Sequence, residues 1–157
     1  MTAGEACAIT ALTLKVGFAA VAMNLLPGVA RGYALARWRF PGRALVKALV
    51  LVPMVLPPVA IGLLLMHLFA RGTPLGKLAT TLLGHPLLLT WQAAWMAAAV
   101  MSFPLLVLGA QNAFAAVPCR LERVAASLGA SRSSVLLRVT LPLAARGILH
   151  GVVFAFA

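Results

Sequence analysis

Acidic residues are almost missing from this chain. Its 157 residues contain two, Glu5 and Glu122, against thirteen Lys and Arg, for a formal charge of +11. Charged residues of either sign make up 10% and hydrophobic residues 63%, whereas soluble domains carry about 25% charged residues. That balance excludes an ordinary soluble domain. A strongly basic soluble protein would suggest nucleic acid, but here the basic residues fall between apolar runs, as they do in membrane loops, which argues against such a partner. Cysteine is scarce too. Cys7 and Cys119 are expected on opposite membrane faces, so neither a disulfide nor a metal site is expected. The N-terminus lacks a basic n-region and carries Glu5, so no cleavable signal peptide is legible.

What remains is long apolar runs. A helix needs about 20 apolar residues to cross a hydrocarbon core of about 30 Å. Four runs qualify as spans: residues 8–30, interrupted by Lys15, Asn24 and Pro27; 48–70, free of formal charge; 86–110, also uncharged; and a fourth that starts near Gly147. The fourth is expected to be cut at Ala157, after about 16 Å of helix, so three complete spans and part of another are expected, with the rest beyond this chain. Arg31, Arg37, Arg39, Arg43 and Lys47 lie between the first two spans, and Arg120, Arg123, Arg132, Arg138 and Arg146 between the last two. The middle loop has only Arg71 and Lys77. The positive-inside rule therefore predicts that loops 31–47 and 111–146 are cytoplasmic and that the N-terminus lies outside. Lys15 then sits in the outer third of the first span, where its ammonium can snorkel to water.

The spans carry little chemistry. None contains Asp or Glu, which argues against a transporter driven by its own proton or sodium coupling. No HExxH or GxSxG motif is present, and His67, His85 and His150 are scattered, so no catalytic or metal-binding residue is expected. Residues 72–78 superficially resemble a phosphate-binding loop but fail on spacing and lack the closing Ser or Thr. If the protein moves something uphill, a partner supplies the energy. Asn24, Thr90, Gln92 and Ser102 either line a path or make interhelical hydrogen bonds. Pro53, Pro57 and Pro58 are expected to bend or break the second span, a feature tolerated in a membrane where the backbone is buried or lines a cavity. Gly28-x-x-x-Gly32 and Gly147-x-x-x-Gly151 match a common helix-packing pattern.

The segment 119–142 differs from both its apolar neighbours. It holds four arginines, a central glycine and a closing proline. Arg120–Leu128 is predicted as a short helix with Val124, Ala125 and Leu128 on one face. Gly129 suits the left-handed residue that ends a helix, and Ser131 is a natural N-cap for a second helix. Val135, Leu136 and Val139 repeat the apolar spacing, and Pro142 fits the first turn of the next membrane helix. The pattern by itself leaves two readings open: an interfacial helix on anionic lipid, or a docking element for a cytosolic partner.

This segment resembles the cytoplasmic EAA loop of ABC importer permeases of the type-1 fold. Ala125, Gly129 and Leu141-Pro142 match that motif at the correct spacing, with Val139 in place of isoleucine. Arg123 stands where the family has Glu, Val124 where it has Ala, and Glu122 lies one residue early. Arg39-Phe40-Pro41-Gly42, Leu56-Pro57-Pro58-Val59 with Gly62, the stretch 69–76 and Ala97–Pro104 look similar to the molybdate branch of the family. The resemblance implies an all-α multi-pass bundle in the bacterial inner membrane, working as a homodimer. It implies two cytosolic ATPase subunits that hold the ATP-Mg, a periplasmic oxyanion-binding protein, and no cofactor in this chain. Glu122, Arg123, Val124, Ala125, Leu128, Gly129, Val139, Leu141 and Pro142 would form the ATPase-coupling loop, and Pro53, Pro57 and Pro58 a kink near the pathway. The expected cargo is molybdate. Sulfate, thiamine, iron and polyamine permeases share the fold, and a membrane-surface or assembly protein remains the competing class.

Overall fold

The computed structural model describes residues 3–70, 72–85 and 90–156, which form helices and turns without a strand. Arg71, the expected span start at Pro86, and Ala157 lie outside the described residues. The helices are α1 (Ala3–Arg37), α2 (Arg43–Val55), α3 (Pro58–Leu68), α4 (Pro74–Leu83), α5 (Trp91–Ala116), α6 (Cys119–Ser127), α7 (Arg132–Val135) and α8 (Leu141–Phe156). A π-helical turn, Leu136–Thr140, joins α7 to α8.

Among the described residues, three helical segments are long and apolar enough to cross a membrane: Gly4–Arg37, Trp91–Ala116 and Arg132–Phe156. Their contacts fix their relative directions. Lys15 lies over the Trp91 ring, Asn24 donates to the Ala99 carbonyl, Gly28 faces Leu106, Gly32 faces Ala110, and Arg37 reaches Val117. Both sets of numbers rise together, so α1 and α5 run parallel. Gly109 faces Gly151 and Ala113 faces Gly147, so α8 runs antiparallel to α5. Two parallel helices joined in sequence require a return crossing, and the chain between residues 38 and 90 must supply it.

That return is broken where the prolines stand. α2 and α3 meet at 103°. Leu56 is extended (φ −74°, ψ 140°), Pro57 follows at φ −57°, ψ 139°, and Pro58 opens α3. A residue before proline is pushed out of the helical region, and each proline removes a backbone donor. Pro53, in contrast, lies within α2. The expected 48–70 span is therefore two short helices at a sharp bend rather than one rod.

Other boundaries also differ from the sequence reading. α1 extends past both ends of 8–30, taking in Glu5 at one end and Arg31 and Arg37 at the other. Acidic and basic residues there suit the helix dipole at the N- and C-termini respectively. α5 starts at the Thr90 cap, whose side chain accepts from the Ala93 N–H, and continues to Ala116. The last long segment starts well before Gly147, because Arg146 is exposed on α8 and does not interrupt it. Arg132–Phe156 contains 25 residues, about 37 Å of helix at the standard rise, long enough to cross.

Close approach of α1, α5 and α8 depends on small residues. A methyl group on Gly32 would sit 2.6 Å from the Ala110 Cβ, and one on Gly109 2.5 Å from the Gly151 Cα. Both glycine pairs singled out in the sequence thus lie at helix–helix contacts. One core cluster joins Ala110, Ala113, Phe114, Val117, Ala144 and Ile148, with the Tyr33 ring edge-on to Phe114 at 5.2 Å. Outward, Phe18, Leu26, Leu49 and Val55 are more than 70% exposed. Monomeric soluble proteins rarely expose apolar surface on this scale, whereas a membrane protein presents it to lipid.

Candidate coupling surface

The basic segment leaves α5 at Val117-Pro118 and turns into α6. Its end is a Schellman closure: the Gly129 N–H donates to the Ala126 carbonyl at 3.0 Å and the Ala130 N–H to the Ala125 carbonyl at 3.2 Å. Gly129 has φ +84°, the left-handed conformation that glycine adopts without strain. Ser131 then caps α7, its Oγ accepting from the Ser134 N–H at 3.3 Å. The Leu141 N–H donates back to the Leu136 carbonyl, closing the wide π turn. Pro142 follows immediately. Its ring would clash with the Arg138 carbonyl in an unbroken α-helix and it offers no N–H, so a widened turn here has a local cause.

α6 buries none of its residues fully. Leu121, Val124 and Leu128 are 42%, 50% and 82% exposed, and their i, i+3, i+7 spacing places them along one outward stripe. Arg120 and Arg123 are exposed beside it. The expected apolar face of Val124, Ala125 and Leu128 is therefore corrected in one member: Ala125 is half-buried, and Leu121 takes its place. Val139 and Leu141 are half-buried, with Leu141 packed on the core cluster, while Pro142 is exposed.

Glu122 faces inward. The Arg37 Nη2 donates to its Oε1 at 2.7 Å and to the Val117 carbonyl at 2.9 Å, and Nη1 lies 2.9 Å from the Cys119 Sγ. The Thr140 hydroxyl donates to the same Glu122 oxygen at 2.8 Å. Arg37 thereby also satisfies a carbonyl at the C-terminus of α5, where orphan acceptors and the helix dipole favour a cation. Sequence reasoning had placed Arg37 in a loop and passed over Thr140. The available signal was Glu122 itself, the only acid in a basic segment.

The kink residues are not gathered with this surface. Pro53 lines a cleft of about 230 Å³ with Asn24, Trp95, Met96 and Phe103, among others, whereas Pro57 and Pro58 are exposed at the bend. Asn24 Nδ2 donates to the Ala99 carbonyl at 2.6 Å and to Ser102 Oγ at 3.2 Å, an interhelical pairing of two polar residues at membrane depth. Gln92 Nε2 lies 3.4 Å from His85 Nε2. Among the described residues, no three His, Cys, Asp or Glu converge as a metal site would require.

Residues 28–157 match the family described as binding-protein-dependent transport system inner membrane component. The chain belongs to this family. It is a multi-pass inner membrane protein of the type-1 ABC permease fold. It is 41% identical over 146 residues to the molybdenum transport system permease protein ModB of Escherichia coli (strain K12), covering 93% of this chain and 64% of that protein. A probable molybdenum ABC transporter permease of Haloferax volcanii is 40% identical over 153 residues, covering 95% and 54% of the two chains. The molybdate/tungstate permease WtpB of Thermococcus kodakarensis is 34% identical over 145 residues, covering 92% and 53%. This member of the inner membrane component family thus spans between about half and two thirds of the length of these relatives.

Proposed function

We propose that the protein is the transmembrane permease subunit of a binding-protein-dependent ABC importer for molybdate. It works as a homodimer with two cytosolic ATPase subunits and a periplasmic oxyanion-binding protein. The ATP-Mg sits in the ATPase partners, and this chain contributes no ATP site, cofactor or catalytic residue. The observation that carries the reading is the segment 119–142: a short helix that turns Leu121, Val124 and Leu128 outward between arginines. Such a stripe suits a groove on a partner. Gly129 supplies the turn, and Arg123, Val124, Ala125 and Leu128 form or flank the docking face. The contact of Arg37 with Glu122 brings the two arginine-rich stretches of the chain to one end of the bundle; the positive-inside rule makes that end cytoplasmic and the N-terminus external. Molybdate is favoured over sulfate, thiamine, iron or polyamine by the molybdenum and molybdate/tungstate permeases to which the chain is similar.

The test is ATP hydrolysis by the whole protein in vesicles, assembled with its cognate ABC ATPase and oxyanion-binding protein. Stimulation by molybdate-loaded binding protein is expected. Stimulation by sulfate alone would keep the importer and remove molybdate. Failure to form any complex with the ATPase would return the segment to the competing reading, a basic amphipathic element on anionic lipid.

A further inference from the structure

One carboxylate holds the root of the coupling surface. Glu122 Oε1 accepts from Arg37, the last residue of α1, at 2.7 Å and from Thr140, just ahead of α8, at 2.8 Å. Arg37 also takes the Val117 carbonyl at the end of α5 at 2.9 Å. Glu122 and Arg37 side chains are 21% and 12% exposed, and Thr140 is 1% exposed, so these bonds are largely shielded from water and salt. Glu122 therefore ties α6 to the end of α1 and to the π turn ahead of α8, and Arg37 extends the contact to the end of α5 and to Cys119, while Leu121, Val124 and Leu128 stay exposed.

We propose that Arg37, Glu122 and Thr140 are the positioning linkage that carries movement of the coupling helix into α1, α5 and α8. The inference rests on the importer reading above and names residues that act through α6 rather than on a partner or cargo. Thr140 gives the linkage a second setting. Its hydroxyl has one proton and two acceptors within reach, Glu122 at 2.8 Å and the Val135 carbonyl at 3.4 Å. When α6 is displaced, the hydroxyl rotates and its hydrogen bond swings from the carboxylate to the Val135 carbonyl, so Thr140 stays bonded in both positions. An unsatisfied hydroxyl at such a buried site would otherwise oppose the motion.

The experiment uses the assembled transporter in vesicles and compares wild type, Thr140→Val, Thr140→Ser and Glu122→Gln. Two quantities are read: the amount of ATPase bound, and the ratio of hydrolysis with molybdate-loaded binding protein to hydrolysis without it. The valine keeps the shape of threonine and removes the donor; the serine keeps the donor. The linkage predicts that Thr140→Val and Glu122→Gln lower the stimulation ratio per assembled complex by about tenfold, a usual size for coupling between sites, and that Thr140→Ser retains it. Wild-type ratios in both Thr140→Val and Glu122→Gln would overturn the linkage. Lost assembly with an unchanged ratio per complex would also overturn it, reducing the three residues to a fold-stabilising cluster. An unresponsive wild-type complex would instead overturn the importer reading, and the linkage with it.

Discussion

Replacing Gly109 by alanine tests the packing of α5 on α8 at its tightest point. The new Cβ would lie 2.5 Å from the Gly151 Cα, 3.5 Å from its nitrogen and 3.7 Å from its carbonyl carbon. All three are backbone atoms, so no rotamer change relieves the contact. The helices must separate by about 0.9 Å before ordinary van der Waals contact is restored, and a gap of that size forfeits roughly a quarter to a half of each neighbouring dispersion well. Overpacking of this kind costs about 1–3 kcal/mol. Gly151→Ala is milder, since its Cβ meets the Gly109 Cα at 3.0 Å, and about 1 kcal/mol is expected. Gly62→Ala serves as the control: it is helical, with nothing within 4 Å of the added carbon, and should stay within about 0.5 kcal/mol of wild type. Equilibrium unfolding in mixed micelles, followed by helicity, should rank the variants Gly62→Ala, Gly151→Ala, Gly109→Ala in order of increasing damage. A Gly109→Ala protein as stable as Gly62→Ala would refute the close α5–α8 approach.

Gly129→Ala should destabilise the coupling surface by about 1–2 kcal/mol through conformation alone, because φ is +84° and nothing obstructs the added carbon; ATPase affinity and protease resistance of the 119–142 segment report it. Asn24→Leu removes both the 2.6 Å and the 3.2 Å bonds to α5 and should cost about 0.6–1.7 kcal/mol, less in a Ser102→Ala background, as a double-mutant unfolding cycle would show. Replacing Pro57 and Pro58 together by alanine should relax the 103° bend; spin labels at Leu49 and Leu64 should move from about 14 Å to about 22 Å apart, the value for a straight helix, and an unchanged separation would mean that packing on α5 holds the bend.

What the sequence made legible was local. Gly129, Ser131 and the Leu56-Pro57-Pro58 break each constrain their own backbone, and each residue type narrows the choice to a turn, a cap or an interruption. The multi-pass membrane class followed from composition and apolar runs, and the type-1 permease fold from the resemblance of the 119–142 segment to a known family. Span ends were less legible, because a single exposed charge such as Arg146 can ride on a helix near its end without stopping it. Of the linkage at Glu122, only the lone acid was legible; its partners were not. Arg37 is 85 positions away, and it arrives there only because Gly28 and Gly32 set the register of α1 against Leu106 and Ala110. The same contact accounts for the one member of the expected face that is half-buried, Ala125. The carboxylate is turned in by an arginine and a threonine, and the apolar stripe is turned out, as a docking or interfacial element requires. In this segment, then, the orientation of the hydrophobic face is a consequence of a polar contact. Removing that contact should disturb the presentation of Leu121, Val124 and Leu128 even though none of the three is altered. In this basic amphipathic segment between spans, the lone acid marks the inward face and the apolar pattern marks the outward one.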